Sequence, residues 1–188
     1  MLNSLRIEAY VVVGDDDNLC DAQGVMPESL KNDAEWKFFQ AGLDAADVCV
    51  LGRKSHEATP NHKGRKRLIF TRSVAFVERR DEGVFWNPSN EPLQTALDAF
   101  GGEVNHLSVV GGQAVFDFFL DGPHRYSRFH LSRVAGVLIP GGRAVFSSIE
   151  SGVGTPAPPH AEDVLVQHGY APQETIVLDE GVEVVSWG

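Results

Sequence analysis

The fold of this chain is decided by Gly52-Arg53-Lys54-Ser55-His56-Glu57 and Val109-Val110-Gly111-Gly112-Gln113-Ala114, two segments about sixty residues apart. Each segment follows an apolar run typical of a β-strand and opens a helix-like stretch. A strand that ends in glycine and turns directly into a helix leaves backbone N–H groups unpaired, and such groups bind phosphate. Two such turns therefore predict a ligand with several phosphates, such as a dinucleotide. Taken singly, each turn is also explained as a tight strand-to-helix connection.

Composition restricts the class of protein. The 188 residues suit one domain spanning 1–188, and 43 % apolar with 22 % charged residues is ordinary for a globular protein. No apolar run reaches the ~18 residues needed to cross a bilayer, and the first residues do not resemble a signal peptide. We therefore expect a cytoplasmic protein without a membrane partner. Cys20 and Cys49 have neither metal-binding nor disulfide spacing, and Cys49 lies in an apolar run.

The charge distribution is uneven. A formal net charge of −10 argues against general nucleic-acid binding. Nevertheless, seven of the sixteen Lys and Arg residues lie within residues 53–72. This segment suits a small anionic ligand, although a solvated run of charge would have the same composition.

The order of apolar runs predicts the architecture. Strand-like runs alternate with helix-like runs as far as residue 137, which predicts an α/β domain with a largely parallel central sheet flanked by helices. In the first helix, Trp36, Phe39 and Leu43 recur at helical spacing and are expected to face the core, and Asn32 with Glu35 forms a candidate capping box. Val164–Val166 and Thr175–Leu178 are expected to pair as a C-terminal antiparallel hairpin.

Four motifs in register between residues 5 and 147 resemble the dihydrofolate reductase superfamily, which includes the reductase domain of riboflavin biosynthesis. They correspond to its active-site loop with the following acid, its first glycine motif, its adenosine-phosphate strand and its glycine pair. In this sequence the motifs are Gly24-Val25-Met26-Pro27 with Asp33, Gly52–Glu57, Leu68-Ile69-Phe70-Thr71-Arg72-Ser73, and Val110-Gly111-Gly112-Gln113-Ala114-Val115-Phe116.

The resemblance implies NADPH as the cofactor. Arg53 and Arg72 could hold its 2′-phosphate through charge-assisted hydrogen bonds, and Lys54 and Ser55 could contact its other phosphates. Gly111 and Gly112 permit close approach of the backbone. The complete implied set of cofactor-binding residues is Ala9, Gly52, Arg53, Lys54, Ser55, Thr71, Arg72, Gly111, Gly112, Gln113 and Ala114.

The resemblance also implies a substrate site. Asp33 would anchor a pterin-like ring and help its protonation, supported by the hydroxyl of Ser132. Asp33 could equally stabilise the helix dipole or pair with Lys37. Arg65 occupies the position that grips a substrate glutamate, although a solvated arginine fits as well. The other implied substrate-binding residues are Met26 in the loop and Phe38 and Phe39 on the helix, of which one would line the ring pocket.

Departures from the family pattern affect the substrate more than the fold. Glu28, His56 and Phe116 replace aromatic residues of the family, and Pro140–Arg143 is closer to the riboflavin-type reductases. The first expectation is an NADPH-dependent reductase of a small pterin-type substrate. The alternatives are reduction of the ribosylaminopyrimidine of riboflavin biosynthesis, or a nucleotide-binding module without catalysis. Riboflavin-type relatives form homodimers through the sheet edge, which this sequence does not decide. The histidines show no metal-type spacing, so no metal is expected.

Overall fold

The computed structural model describes residues 5–151 and 158–188, apart from the side chain at 151. The strands are β1 (Arg6–Val13), β2 (Asn18–Cys20), β3 (Val48–Gly52), β4 (Arg67–Phe70), β5 (Val77–Arg80), β6 (Gly83–Trp86), β7 (His106–Gly111), β8 (Arg128–Val134), β9 (Arg143–Ala144), β10 (Pro172–Asp179) and β11 (Val182–Trp187). The helices are α1 (Asp33–Asp44), α2 (Arg53–Ala58), α3 (Leu93–Asp98), α4 (Gln113–Asp121), α5 (Ser147–Ser151) and α6 (Ala161–Gln167), with a 3-10 turn at Glu28–Leu30.

Nine of these strands form one sheet in the order β10-β11-β8-β1-β7-β3-β4-β6-β5. The six strands from β8 to β6 in this order pair in parallel. The outer strands β11, β10 and β5 pair antiparallel to their neighbours. The predicted α/β class with a largely parallel central sheet is confirmed.

The two faces of β1 carry different chemistry because neighbouring residues of a strand point to opposite faces. Ile7, Ala9 and Val11 belong to the main apolar core together with residues of α3, α4 and α6. Glu8 and Tyr10 belong to the other face, which α1 covers. That second face is largely polar, and it contains the residues of chemical interest.

The C-terminal hairpin exists but is built from other residues than predicted. Val164–Val166 lies in α6, because Ala161, Val164 and Leu165 form a buried stripe at helical spacing and His160 with Asp163 forms a capping box. The hairpin joins β10 to β11. The apolar, β-branched residues of this segment are typical of a strand, but the cap at its start favours a helix.

The start of α1 also differs from the prediction. Asn32 is the N-cap, and its side-chain oxygen accepts hydrogen bonds from the backbone N–H groups of Ala34 and Glu35 at 2.9 and 3.0 Å. Glu35 does not complete a capping box, since its side chain is buried and turned towards the sheet. Trp36 is 55 % exposed instead of packed in the core. The buried stripe of α1 is therefore rotated relative to the predicted one and includes Glu35, Gly42 and Leu43.

Candidate functional site

The two glycine turns lie side by side. Strands β3 and β7 are neighbours, and Leu51 pairs with Gly111 at their carboxyl ends. A Cβ atom on Gly52 would lie 3.7 Å from the backbone nitrogen of Gly112. The starts of α2 and α4 therefore meet at the carboxyl ends of the parallel strands, where ligands bind in open α/β sheets.

The second turn provides an open, donor-rich surface. Gly111 has φ of +133°, a conformation that favours glycine, and the Gly111–Gly112 peptide is cis. A Cβ on Gly112 would meet no atom within 4 Å, so this residue borders open space. No side chain caps α4 at Gly112, and the first backbone N–H groups of the helix are left for a ligand. These residues fit the phosphate groups of a dinucleotide.

The predicted basic ligands differ in availability. Arg53 donates to the Glu57 carboxylate at 2.7 Å, so an internal partner competes for its charge. Lys54 and Arg72 are exposed and form no ion pair within residues 5–151 and 158–188. Thr71 is buried, and its hydroxyl lies 2.9 Å from that of Ser73. A Cβ on Gly111 would lie 3.9 Å from the Ser55 hydroxyl, which places Ser55 beside the glycine pair.

Two predicted cofactor residues have other roles. Ala9 has no exposed surface and belongs to the apolar core, so its side chain is not a cofactor contact. The Gln113 side-chain amide donates to the Ala144 carbonyl at 3.0 Å and to Glu150 at 2.8 Å. Only its backbone therefore remains for a ligand. Ala114 is exposed at the start of α4.

Glu35 is a buried acid on the face covered by α1, and the family resemblance did not point to it. It is 6 % exposed, and its carboxyl group forms a hydrogen bond with the hydroxyl of Ser132 on β8, itself 1 % exposed. Burial raises the pKa of the Glu35 carboxyl, and the Ser132 hydrogen bond opposes this effect without cancelling it. A buried acid with a raised pKa keeps its proton to a higher pH than an exposed glutamate does, which suits it to proton transfer.

The predicted pairing of Asp33 with Ser132 is wrong. Asp33 is exposed in the first turn of α1, where a carboxylate stabilises the helix dipole. Two residues along a helix correspond to a rotation of about 200°, so Asp33 and Glu35 point in nearly opposite directions. A signal for Glu35 was present in the sequence, because it precedes Phe39 and Leu43 by four and eight residues on one helical stripe.

The predicted ring-binding residues lie in different surroundings. Phe38 packs against Tyr10 and His130, with ring centroids 5.8 and 5.7 Å away, and so contacts the sheet. Phe39 stacks on Trp36 at 5.5 Å, nearer to solvent. Met26 is 41 % exposed in the loop before α1. Arg65 is mostly buried and forms an ion pair with Asp44 at 2.5 Å.

A layer of polar residues separates α1 from the sheet. The Glu8 carboxylate accepts a hydrogen bond from the Tyr10 hydroxyl at 2.9 Å, and ring nitrogens of His106 and His130 lie 3.2 and 3.9 Å from it. His130, followed by Tyr10 and His106, lowers the pKa of Glu8 to about 2 against the opposing effect of burial. His130 also stacks on Tyr10 at 4.5 Å, next to Phe38 of α1.

We expect Glu8→Gln to destabilise the protein near neutral pH by about 1.5–3 kcal/mol, the range for hydrogen bonds to a charged group. The pKa of Glu8 in the folded state lies below its ordinary value of 4.5, so this stabilisation is present above pH 4.5 and lost as the pH falls towards about 2. Urea unfolding across this range measures the difference, with Glu103→Gln at an exposed position as a control. A difference that is independent of pH would contradict the assignment.

One further cluster combines residues that ligate metals. Oxygen or nitrogen atoms of Asp17, His160 and Glu162 lie within 4.8 Å of one another. The Arg133 guanidinium donates to both carboxylates at 2.6 Å, and the His160 ring lies 2.8 Å from Asp17. The Arg133 guanidinium thus supplies the positive charge that a metal ion would bring to these carboxylates. The cluster joins α6 to the loop after β1.

A membrane span is not found in the described ranges, 5–151 and 158–188, where no helix is both long and apolar enough to cross a bilayer.

Comparison with known proteins supports the fold. No protein-family model matches the chain, and no curated protein matches it. A pyrimidine reductase-like protein from Corynebacterium diphtheriae is 13 % identical, with a TM-score of 0.67 over 99 % of this chain and 92 % of that one. Dihydrofolate reductase from Enterococcus faecalis, complexed with NADP(H), is 12 % identical, with a TM-score of 0.63 over 97 % and 95 %.

A third solved structure is longer. It is a diaminohydroxyphosphoribosylaminopyrimidine deaminase/5-amino-6-(5-phosphoribosylamino)uracil reductase from Thermotoga maritima, 14 % identical with a TM-score of 0.63. The alignment covers 98 % of this chain, which spans 56 % of that protein. Together, these structures show that the chain has the dihydrofolate-reductase-like fold.

Proposed function

We propose that the protein is an oxidoreductase that uses NADPH to reduce a pterin-type nitrogen heterocycle, with Glu35 as the acid that holds the ring. The observation that carries this proposal is the buried Glu35 carboxyl, hydrogen-bonded to Ser132 on the face covered by α1. A buried carboxyl group has room for more than one hydrogen-bond partner, and the N–H groups of an amidine or lactam edge would supply a second one beside Ser132. The reductases among the solved structures of this fold support the same reaction class.

The cofactor would be held at the paired glycine turns. The first backbone N–H groups of α4 would face its pyrophosphate, and Gly112 leaves room for close approach. Lys54 and Arg72, which are both exposed, would face its 2′-phosphate. When bound, NADPH supplies the hydride.

The protein's own residues would orient the substrate and manage a proton. Because burial raises its pKa, the Glu35 carboxyl retains a proton to higher pH than an exposed glutamate, and it can share that proton with a ring nitrogen. The Ser132 hydroxyl fixes the orientation of the carboxyl group. Phe39 and Met26, both partly exposed, would provide apolar contact with the ring and limit access of water.

The test is to mix purified protein with NADPH and a 7,8-dihydropterin and to follow the loss of NADPH absorbance. The pyrimidine substrate of riboflavin biosynthesis is assayed in parallel, and binding of NADPH is measured by calorimetry. Turnover of the dihydropterin supports the proposal. Tight NADPH binding without turnover of either substrate would instead support a non-catalytic nucleotide-binding module, and absence of NADPH binding would contradict both functions.

We expect Arg72→Ala to weaken NADPH binding about ten-fold and to leave NADH binding unchanged. NADPH differs by a 2′-phosphate, and one charge-assisted hydrogen bond to it corresponds to a change of this size. Calorimetric titration of both cofactors provides the measurement. Arg53→Ala is the matched comparison and should have a smaller effect, because Arg53 is paired with Glu57. Equal losses for NADPH and NADH would place Arg72 away from the 2′-phosphate.

A further inference from the structure

The short helix α2 has few contacts that hold it against the sheet. It comprises six residues, and none of them is buried. A helix of this length is not stable alone, so its position depends on contacts with other elements. Within residues 5–151 and 158–188, the only side-chain hydrogen bond that joins α2 to another element is that between His56 and Arg67 of β4.

Arg67 binds both a ring and the end of this helix. Its Nη1 atom donates to Nδ1 of His56 at 3.1 Å and to the backbone carbonyl of Thr59, the C-cap of α2, at 2.8 Å. Arg67 is 7 % exposed, and it forms no ion pair with a carboxylate in the described part of the chain. The two acceptors therefore compensate a buried charge, and the same contacts fix α2 relative to β4.

The contact with Arg67 determines the protonation state of His56. A guanidinium has N–H donors and no acceptor, so Nδ1 of His56 accepts the hydrogen bond and the ring is neutral. Protonation of Nδ1 would break this bond and leave two cations in contact. Burial, followed by the charge of Arg67, lowers the pKa of His56, while Glu82 and Glu57 oppose this shift.

The other neighbours of His56 do not replace this hydrogen bond. Glu57 follows it on α2, and Glu82 lies in the turn between β5 and β6. The Phe85 ring of β6 packs edge-on against the His56 ring with centroids 5.7 Å apart, and Arg80 of β5 lies over the same Phe85 ring. Neither carboxylate forms a hydrogen bond with the His56 ring.

The orientation of α2 affects the cofactor site. Lys54, which we place at the 2′-phosphate, and Ser55, beside the glycine pair, directly precede His56. A tilt of α2 would move both side chains relative to the glycine turns. One hydrogen bond thus couples the neutral His56 ring to the placement of two residues that would contact the cofactor.

We infer that His56 is a positioning residue for the cofactor: its neutral ring, held by Arg67, keeps α2 in place, and its protonation weakens binding. This inference rests on the proposed function and adds a pH dependence to it. An effect through charge alone would have the opposite sign, because an additional cation attracts phosphates.

The experiment measures the dissociation constant of NADP⁺, which is stable in acid, by calorimetry at about pH 8 and about pH 5, between which histidine titrates. His56→Phe keeps the ring packing but has no acceptor. It should bind NADP⁺ about ten-fold more weakly than the wild type at the higher pH, as one hydrogen bond from a charged group allows, and the difference should shrink towards equality in acid. The 2′-phosphate titrates in both proteins, so this ratio isolates His56.

Two further variants provide controls. His56→Asn keeps an acceptor near the position of Nδ1 that does not titrate, so it should bind NADP⁺ about ten-fold more tightly than the wild type at about pH 5. His62→Asn replaces an exposed histidine and should follow the wild type at both pH values. Thermal unfolding of every variant at both pH values shows whether folded proteins are being compared.

The outcomes separate this inference from the proposed function. A ratio between His56→Phe and the wild type that is independent of pH, or that grows in acid, would overturn the inference and leave the cofactor site in place. A lower Tm without the pH-dependent ratio would assign His56 a structural role only. If the ratios appear but no substrate is reduced, the positioning role stands and the reductase function fails. If NADP⁺ binds at neither pH, both are overturned.

Discussion

Glu35→Gln should lower kcat for dihydropterin reduction about a thousand-fold while NADPH binding stays unchanged. The substitution keeps the size of the side chain but removes the proton that the buried carboxyl group holds, and a positioned general acid contributes roughly 10²–10⁴-fold. Steady-state kinetics and NADPH calorimetry on the same preparation measure both quantities. Asp33→Asn is the matched control on the same helix, and it should retain nearly full activity because Asp33 is exposed.

The same substitution should stabilise the protein at neutral pH. Burial raises the pKa of Glu35 above its ordinary value of 4.5, so the folded state is favoured while the group is protonated. This advantage is complete below pH 4.5 and is lost as the pH rises through the raised pKa. Thermal unfolding at neutral pH should therefore give a higher Tm for Glu35→Gln than for the wild type. Lower activity with lower stability would indicate a structural role only, and full activity would remove Glu35 from the site.

The second large effect is expected from Gly112→Leu, which should weaken NADPH binding about a hundred-fold. Gly112 has φ of −89° and ψ of −157°, which other residues can adopt, and its Cβ would project into open space. The leucine side chain would fill the region where we place the cofactor phosphates, and losing two charge-assisted hydrogen bonds accounts for a change of this size.

Stability and binding must be measured separately for this variant. Urea unfolding should show little change, because the added atoms meet no neighbour. Gly102→Leu is the control, since it also projects into open space within the described residues but lies away from the glycine turns. Undiminished NADPH binding by a folded Gly112→Leu protein would rule out a cofactor at this turn.

Local sequence patterns were sufficient to predict the sheet and its glycine turns. Strands β3, β4 and β7 are short apolar runs bounded by glycine or polar residues, so their positions follow from local sequence. Parallel strands align their carboxyl ends, so the sequence alone predicts that Gly52 and Gly112 lie in one site. The C-terminal hairpin was less predictable, because helix α6 depends on the His160 and Asp163 cap.

The surroundings of Asp33, Glu35 and Arg65 could not be predicted for a different reason. Asp33 and Glu35 are both acids in the first turn of α1, and only the rotation of the helix against β8 decides which one reaches Ser132. Arg65 likewise depends on a partner twenty-one residues earlier in the chain, Asp44. Such choices are made by tertiary packing, which a family motif or a local pattern does not encode.

The outer edge of the sheet affects how the protein behaves at high concentration. Strand β10 ends the sheet order, and an edge strand offers unpaired backbone groups as a template for strands of other molecules. The pairing of β10 with β11 changes register on both sides of Glu174–Val177, so only these four residues form an uninterrupted stretch of strand. Segments that assemble into fibrils are longer, about six residues. We therefore expect the irregular edge to disfavour growth into extended sheets, although Val177 is 73 % exposed.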